Sequence, residues 1–386
     1  MSVAPFLPVP CPVCHQTDQM QETNAYAAFS PPHQGAPAAA PSCQHGVGIA
    51  AADTRRQLDD WLDDCRLFGS RMCLVCQRHY PANTQVCSSD GTVLRDATVK
   101  NRPAPLIDGR LQLTSFIGSG ALTDVYAGTD LQTNTGVAVK ILRRALSHDA
   151  KFSSAFLEQA MSARTLNHKN IATIYDCGVL ANRRPFIVSE YLSDYRSLLS
   201  ILNQESPSDY IRLLKIMIAS CRAIEYAHSM AVLHLYPSAA NIVMCANQNG
   251  QDELVKVCDF GFAERLFRHL PVDQHASRTM GLFGSPLVIS PEYSSGQPAT
   301  ELSDVYGLAC VLYLILTGQP AFMRESALST VMAHLQDSPP PLAQPLAVPA
   351  GLADIVFSGL AKNPGERPSL AEFRLGLEHC LAKSLS

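Results

Sequence analysis

Cys73-x₂-Cys76-x₁₀-Cys87-x₂-Asp90 is a spacing that can do chemistry. Two sulfurs of Cys-x-x-Cys reach one metal from a tight turn, and a second pair completes a tetrahedral Zn²⁺ site. Asp90 is the candidate fourth ligand, with His79 as competitor. Cys11-x-x-Cys14 is a second half-site. It could be completed by Cys43 and His45, or by His15 and His33, across an Ala/Pro stretch. Further on, Ile117-Gly118-Ser119-Gly120-Ala121-Leu122-Thr123-Asp124-Val125 places two glycines where a backbone could closely approach phosphate groups. In Val137-Ala138-Val139-Lys140, alternate residues of a strand share a face, so Ala138 and Lys140 look the same way.

The elements that must position these residues fall into distinct textures. Residues 1–52 carry cysteines and an Ala/Pro-rich stretch that reads as a flexible linker. Residues 53–70 form a short amphipathic helix, with Leu58, Trp61, Leu62, Cys65 and Phe68 at helical spacing. Residues 71–98 make up the compact cysteine-bearing unit. From Leu106 the chain turns regular. Strands are predicted over Leu111–Ile117, Asp124–Thr129 and Gly136–Leu142, and a helix over Asp149–Asn167 with Phe152, Phe156, Ala160 and Ala163 on one face. Strands follow near Ile174 and over Phe186–Glu190. Helices dominate beyond Ser197, apart from a hairpin near Asn249-Gly250.

Bulk properties bound the function. The 386 residues suit one large domain with a smaller N-terminal piece, and 47% hydrophobic content supports a sizeable core. A net charge of −4 argues against nucleic-acid coating. Seven of the thirteen cysteines precede residue 88. The other six are scattered through apolar stretches, as small buried hydrophobes are in a reducing compartment. No secretory signal is visible, and the longest apolar run, Leu308 to Leu316, is about half of a membrane span. The expectation is a cytoplasmic protein without a membrane span.

Over residues 106–382 the ordered motifs resemble the bacterial-type serine/threonine protein kinases, and residues 71–98 resemble small zinc ribbons found beside such domains. The resemblance implies an α+β, bilobal protein-kinase fold, with a β-rich lobe carrying one helix and a larger helical lobe. It implies ATP as ligand. Gly118 and Gly120 would cover the phosphates and Lys140 would pair with them. Val125, Ala138 and Val243 would flank adenine, with Ser189 behind it and the backbone of Glu190 and Leu192 bonded to it. Asn241 and Asp259, the latter in Asp259-Phe260-Gly261, would hold Mg²⁺. Glu292 and Arg367 match a buried ion pair, and Asp304 matches an aspartate that braces the catalytic loop.

The departures are concentrated. In His234-Leu235-Tyr236-Pro237-Ser238-Ala239-Ala240-Asn241, Tyr236 stands where the family has its catalytic aspartate. Ser238 replaces a lysine, and Leu235 an arginine that receives activation-loop phosphate. A tyrosine with an ordinary pKa near 10 is protonated at pH 7 and cannot act as base. Gln159 occupies the position of the helix glutamate that pairs with the strand lysine. Glu158 lies one residue, about 100°, away on that helix. No catalytic residue of the loop is intact, although both metal positions are. The implied function is a regulatory or scaffolding pseudokinase that binds ATP with Mg²⁺ and an unknown protein partner. The alternatives are a weakly active serine/threonine kinase, and a zinc-ribbon interaction protein with the kinase fold as docking body. Few basic residues flank the ribbon, which argues against nucleic acid.

Overall fold

The computed structural model describes residues 106–120, 122–204, 209–246, 253–261, 286–342 and 351–385, together with Leu58, Leu62 and three two-residue strands. Those strands are β1 (Arg71–Met72), β2 (His79–Tyr80) and β3 (Arg95–Asp96), and β1 pairs antiparallel with both others. Met72 pairs with His79, so Cys73 and Cys76 fall in the connection of a hairpin. Cys87 and Asp90 fall between β2 and β3. The side chains of these four residues, and of Cys11 and Cys14, lie outside the described residues.

The described chain divides into two compact units. The smaller holds the residues up to His148 and Cys177–Tyr191. Its sheet runs β4 (Leu106–Ile107), β5 (Leu111–Ser119), β6 (Thr123–Asp130), β7 (Thr135–Leu142), β9 (Pro185–Glu190) and β8 (Ile174–Val179), in that spatial order. One short helix, α1 (Arg144–Ser147), follows β7. The strands agree with the sequence expectation to within two residues at their ends.

Register gives this sheet two different faces. Val125 pairs with Lys140 and Ala127 with Ala138, which puts the lysine on a face lined by small side chains. Tyr126 pairs with Val139 on the opposite face, where Leu113, Val137, Ile141 and Val188 form an apolar cluster. Leu58 and Leu62, both helical, belong to that cluster. Leu62 is fully buried, and the Tyr126 hydroxyl donates to its carbonyl oxygen at 3.2 Å. Leu58 and Leu62 thus pack on the side of the sheet that faces away from Lys140. The other apolar positions of the N-terminal segment, Trp61, Cys65 and Phe68, lie outside the described residues.

The larger unit begins with α2 (Ala150–Ala163), capped by Asp149, whose carboxylate accepts from the amides of Lys151 and Phe152. The helix stops short of the predicted Asn167. Thr165 and Leu166 bond three residues back, to Ser162 and Ala163, which tightens and ends the last turn. Phe152, Phe156, Gln159, Ala160 and Ala163 face inward, while Glu158 is exposed.

After β10 (Arg196–Ser197) come α3 (Leu198–Gln204) and α4 (Tyr210–Ser229). The antiparallel hairpin β11 (Ile242–Ala246) and β12 (Glu253–Val257) then forms where Asn249-Gly250 predicted a turn. The unit continues through α5 (Pro291–Ser294), α6 (Glu301–Thr317), α7 (Ala327–Gln336), α8 (Leu352–Gly359) and α9 (Leu370–Leu385). Helix α6 is apolar on all sides because it runs through the core. Gly318 ends it in the left-handed conformation, at φ 69°. Among the described residues, no helix is long and apolar enough to cross a membrane. Of the six described cysteines, Cys221, Cys245, Cys310 and Cys380 are buried.

Arg367 clamps this unit. Its guanidinium, fully buried, donates to both oxygens of Glu292 at 2.8 and 2.7 Å, and Ser303 Oγ adds a bond of 2.6 Å. Burial pushes the Glu292 carboxyl up, but the Arg367 and Ser303 hydrogen bonds outweigh it and hold the group below its ordinary value.

Two outcomes follow from this packing. Leu62→Ala should lower stability by about 2–5 kcal/mol in denaturant unfolding, because it opens a cavity in a closed cluster. An effect within error would show that the N-terminal segment is not bound to the sheet. The Glu292 contribution to stability should be complete above its ordinary pKa of 4.5 and fade as pH falls through its lower folded value. Glu292→Gln should therefore lose about 3–5 kcal/mol at neutral pH, by stranding a buried guanidinium. Most of that gap to the unmodified protein should close in acid.

Candidate nucleotide site

Several predicted site residues belong to the small unit. Gly118 pairs with Val125, and the loop between them closes with Gly120 N–H donating to Thr123 O at 2.8 Å. A side-chain carbon added to Gly118 would meet no protein atom within 4 Å, so packing does not require glycine there. The space over that loop is left open, as close approach by a phosphate chain would need. At the loop's base, the buried Asp124 accepts from Ser119 Oγ at 2.7 Å and from the Arg184 guanidinium at 3.3 Å. Lys140 and Ala138 lie on the same face of β7, as predicted, with Val125 beside them on β6. Ser189, buried at the end of β9, donates to Ala138 O at 3.4 Å, and Glu190 pairs with Val137.

Other predicted site residues belong to the large unit. Leu192, Val243 and Cys245 form a small buried apolar cluster. The strands β11 and β12 run antiparallel, and Cys258 N–H donates to Asn241 O at 2.9 Å. That pairing brings Asn241 and the Asp259 segment to the same end of the hairpin. Asn241 Nδ2 donates to Tyr236 O at 3.1 Å, which leaves its oxygen as the atom suited to a cation. Asp259 has a left-handed backbone, φ 61°, followed by Gly261 at φ 70°.

The loop from His234 to Asn241 is held by its backbone. Asp304, fully buried, accepts from His234 N–H at 2.8 Å, from Leu235 N–H at 2.6 Å and from the His228 ring at 2.8 Å. These bonds fix Leu235 at φ 68°, a conformation that costs a non-glycine residue about 1–3 kcal/mol. His234 is fully buried, and burial pulls its pKa down, so the ring is neutral. Its ring packs against Phe260 at a tilt of 42° with centroids 4.6 Å apart, and its carbonyl accepts from Gly261 N–H at 3.0 Å. Tyr236 packs against the large hydrophobic core, and burial pushes its hydroxyl pKa up. Ser238 contributes a backbone N–H to Tyr236 O at 2.8 Å.

Three features escaped sequence reasoning. Gly307 on α6 is needed because a side-chain carbon there would overlap the Pro237 ring, at 2.6 Å from Cγ. Gln159 Nε2 donates to Phe260 O at 3.1 Å, which ties α2 to the Asp259 segment. The Tyr126–Leu62 bond reaches across 64 residues. Only Gly307 left a local signal, a glycine in the interior of an apolar helix.

Comparison with known proteins agrees with this geometry. Residues 111–379 match the protein kinase domain family. The chain is 34% identical over 278 residues to the serine/threonine-protein kinase PknB of Mycobacterium leprae, covering 71% of this chain and 43% of that one. It is 33% identical over 285 residues to a probable serine/threonine-protein kinase of Corynebacterium efficiens, covering 71% of this chain and 41% of that one. It thus spans about two-fifths of the length of the curated relatives it matches. The crystal structure of the Mycobacterium tuberculosis PknI kinase domain superposes with a TM-score of 0.58 at 22% identity. That match covers 73% of this chain and all of the solved domain. With its two units, ordered motifs and matched family, this chain belongs to the bacterial PknB-like serine/threonine protein kinase family.

Proposed function

We propose that the chain binds ATP with Mg²⁺, is impaired in phosphoryl transfer, and works as a regulatory or scaffolding pseudokinase on a protein partner. The observation that carries this reading is Tyr236. It stands in the catalytic-aspartate position with a hydroxyl whose proton is held more tightly than usual by burial. General-base assistance is worth roughly 10²–10⁴ in rate, and Ser238 removes the companion lysine as well. Asn241 and Asp259 would hold the metal, and Lys140, Gly118 and Gly120 the phosphates. Bound Mg²⁺ would neutralise phosphate charge. The buried cysteines, scattered through apolar stretches, suit a reducing, cytoplasmic setting. The net charge of −4 gives no support to a nucleic-acid partner.

The hairpin register supports a second, independent element of the reading, a structural Zn²⁺ held by Cys73, Cys76, Cys87 and Asp90. The paired residues Met72 and His79 bracket the Cys-x-x-Cys, as a metal knuckle requires.

Two experiments test these statements. In a thermal-shift titration with Mg²⁺, ATP at about 100 times its Kd should stabilise the protein by about 2.7 kcal/mol. Asp259→Ala should shrink that shift. Labelled ATP should transfer no more phosphate than with the Asp259→Asn variant. No shift at millimolar ATP would defeat nucleotide binding, and transfer abolished by Asp259→Asn would favour a weakly active kinase. Metal analysis of the purified chain should find one zinc per molecule, lost in a Cys73→Ser/Cys76→Ser double variant. A zinc-free chain with reactive thiols at these positions would end that proposal.

A further inference from the structure

Gln159 is a replaced position whose new side chain makes a bond that the residue usual for the family could not make. Its Nε2 donates to Phe260 O at 3.1 Å, and both residues are buried. A backbone carbonyl only accepts, so its partner must carry a hydrogen. An amide does. A glutamate at neutral pH would set a charged oxygen against the carbonyl oxygen instead. We infer that Gln159 is a positioning residue, a latch that fastens α2 to the Asp259-Phe260-Gly261 segment through the Phe260 carbonyl and fixes the metal-binding turn within the large unit.

The surroundings are built around this contact. Asp149 caps the helix start, and the inward face places Phe156 and Ala160 on either side of Gln159. Gly261 lies against the amide, so a side-chain carbon there would overlap it, and φ 70° independently favours glycine. The next bond along the segment, Gly261 N–H to His234 O, joins the turn to the loop that Asp304 braces. Phe260 packs against the His234 ring, tilted by 42°. Helix, turn and loop are therefore linked by hydrogen bonds that need no nucleotide. A buried carbonyl left without its donor weakens such a link selectively.

The inference concerns the turn that would carry the metal in the proposed function, and its test needs neither ATP nor metal. Amide hydrogen exchange is measured on the full chain and on the near-isosteric variants Gln159→Met and Gln159→Glu, without nucleotide. The Gly261 amide should exchange about tenfold faster or more in both variants, while Ile224 in α4 stays within about twofold of its original protection. Either folded variant is enough for the comparison. Protection of Gly261 unchanged in Gln159→Glu would overturn the latch, because an acid would then serve as well as an amide. Protection falling equally at Gly261 and Ile224 would also overturn it, since it would show only general destabilisation. ATP binding is read separately, so failure of the latch and failure of nucleotide binding remain distinguishable.

Discussion

The carboxylate of Asp304 is the fixed point of the large unit. It lies at zero exposure, and its three donors come from the His234 and Leu235 backbone and the His228 ring. Because two of these are main-chain amides, the brace does not depend on the side chains of the residues it holds. That is why the loop keeps its shape with leucine and tyrosine at positions 235 and 236. Asn241 acts in the same way, since it bonds the carbonyl of Tyr236 and not its ring. A loop whose backbone is fixed from outside can change its chemistry without changing its path. Here the change is toward apolar packing. Leu235 is buried, and the Tyr236 ring rests on the main core.

Legibility in the sequence followed the range of the interactions. Motifs confined to a few residues were readable. The glycine loop, the strand ending in Lys140, the hairpin around Asn249-Gly250 and the helix ended by Gly318 all fall where local chemistry puts them. The inward face of α2 was readable too, since a period of 3.6 residues separates Gln159 from the exposed Glu158. Its C-terminus was not. The predicted extension to Asn167 failed because Thr165 and Leu166 find acceptors three residues back, a choice that periodicity does not encode. Contacts distant in sequence were invisible. Gln159 meets Phe260 across 101 residues, and Tyr126 meets Leu62 across 64. In both cases one partner is a main-chain carbonyl, which every residue possesses and no residue type advertises.

This difference alters the meaning of Gln159. Read alone, glutamine for glutamate is a lost charge, of a kind with Leu235, Tyr236 and Ser238. In the folded chain it is a donor placed against an acceptor. Substitutions in a site can thus be of two sorts, those that remove a function and those that exchange one bond for another. Only the bonding partner separates them. Tyr236 and Leu235 belong to the first sort as far as proton and charge chemistry goes, since neither side chain carries the charge that the family's residue would.

The pattern of what is kept and what is replaced has a thermodynamic logic. Interactions made equally in the ground state and the transition state hold a ligand, while those made only in the transition state accelerate its reaction. A lysine on phosphates, oxygen ligands for a cation and apolar walls for a base are of the first kind. In the proposed function, Lys140, Asn241, Asp259, Val125, Ala138 and Val243 would supply them. A base for the attacking hydroxyl and a lysine on the moving phosphoryl group are of the second kind, and their positions hold Tyr236 and Ser238. Removing only the second kind leaves binding free energy nearly intact while raising the barrier. Burial of the Tyr236 hydroxyl deepens the separation, because desolvation raises its pKa and takes it further from serving as a base at neutral pH. In the proposed function, such a site would distinguish occupied from empty, which is what a switch requires, more than it would turn over what it holds.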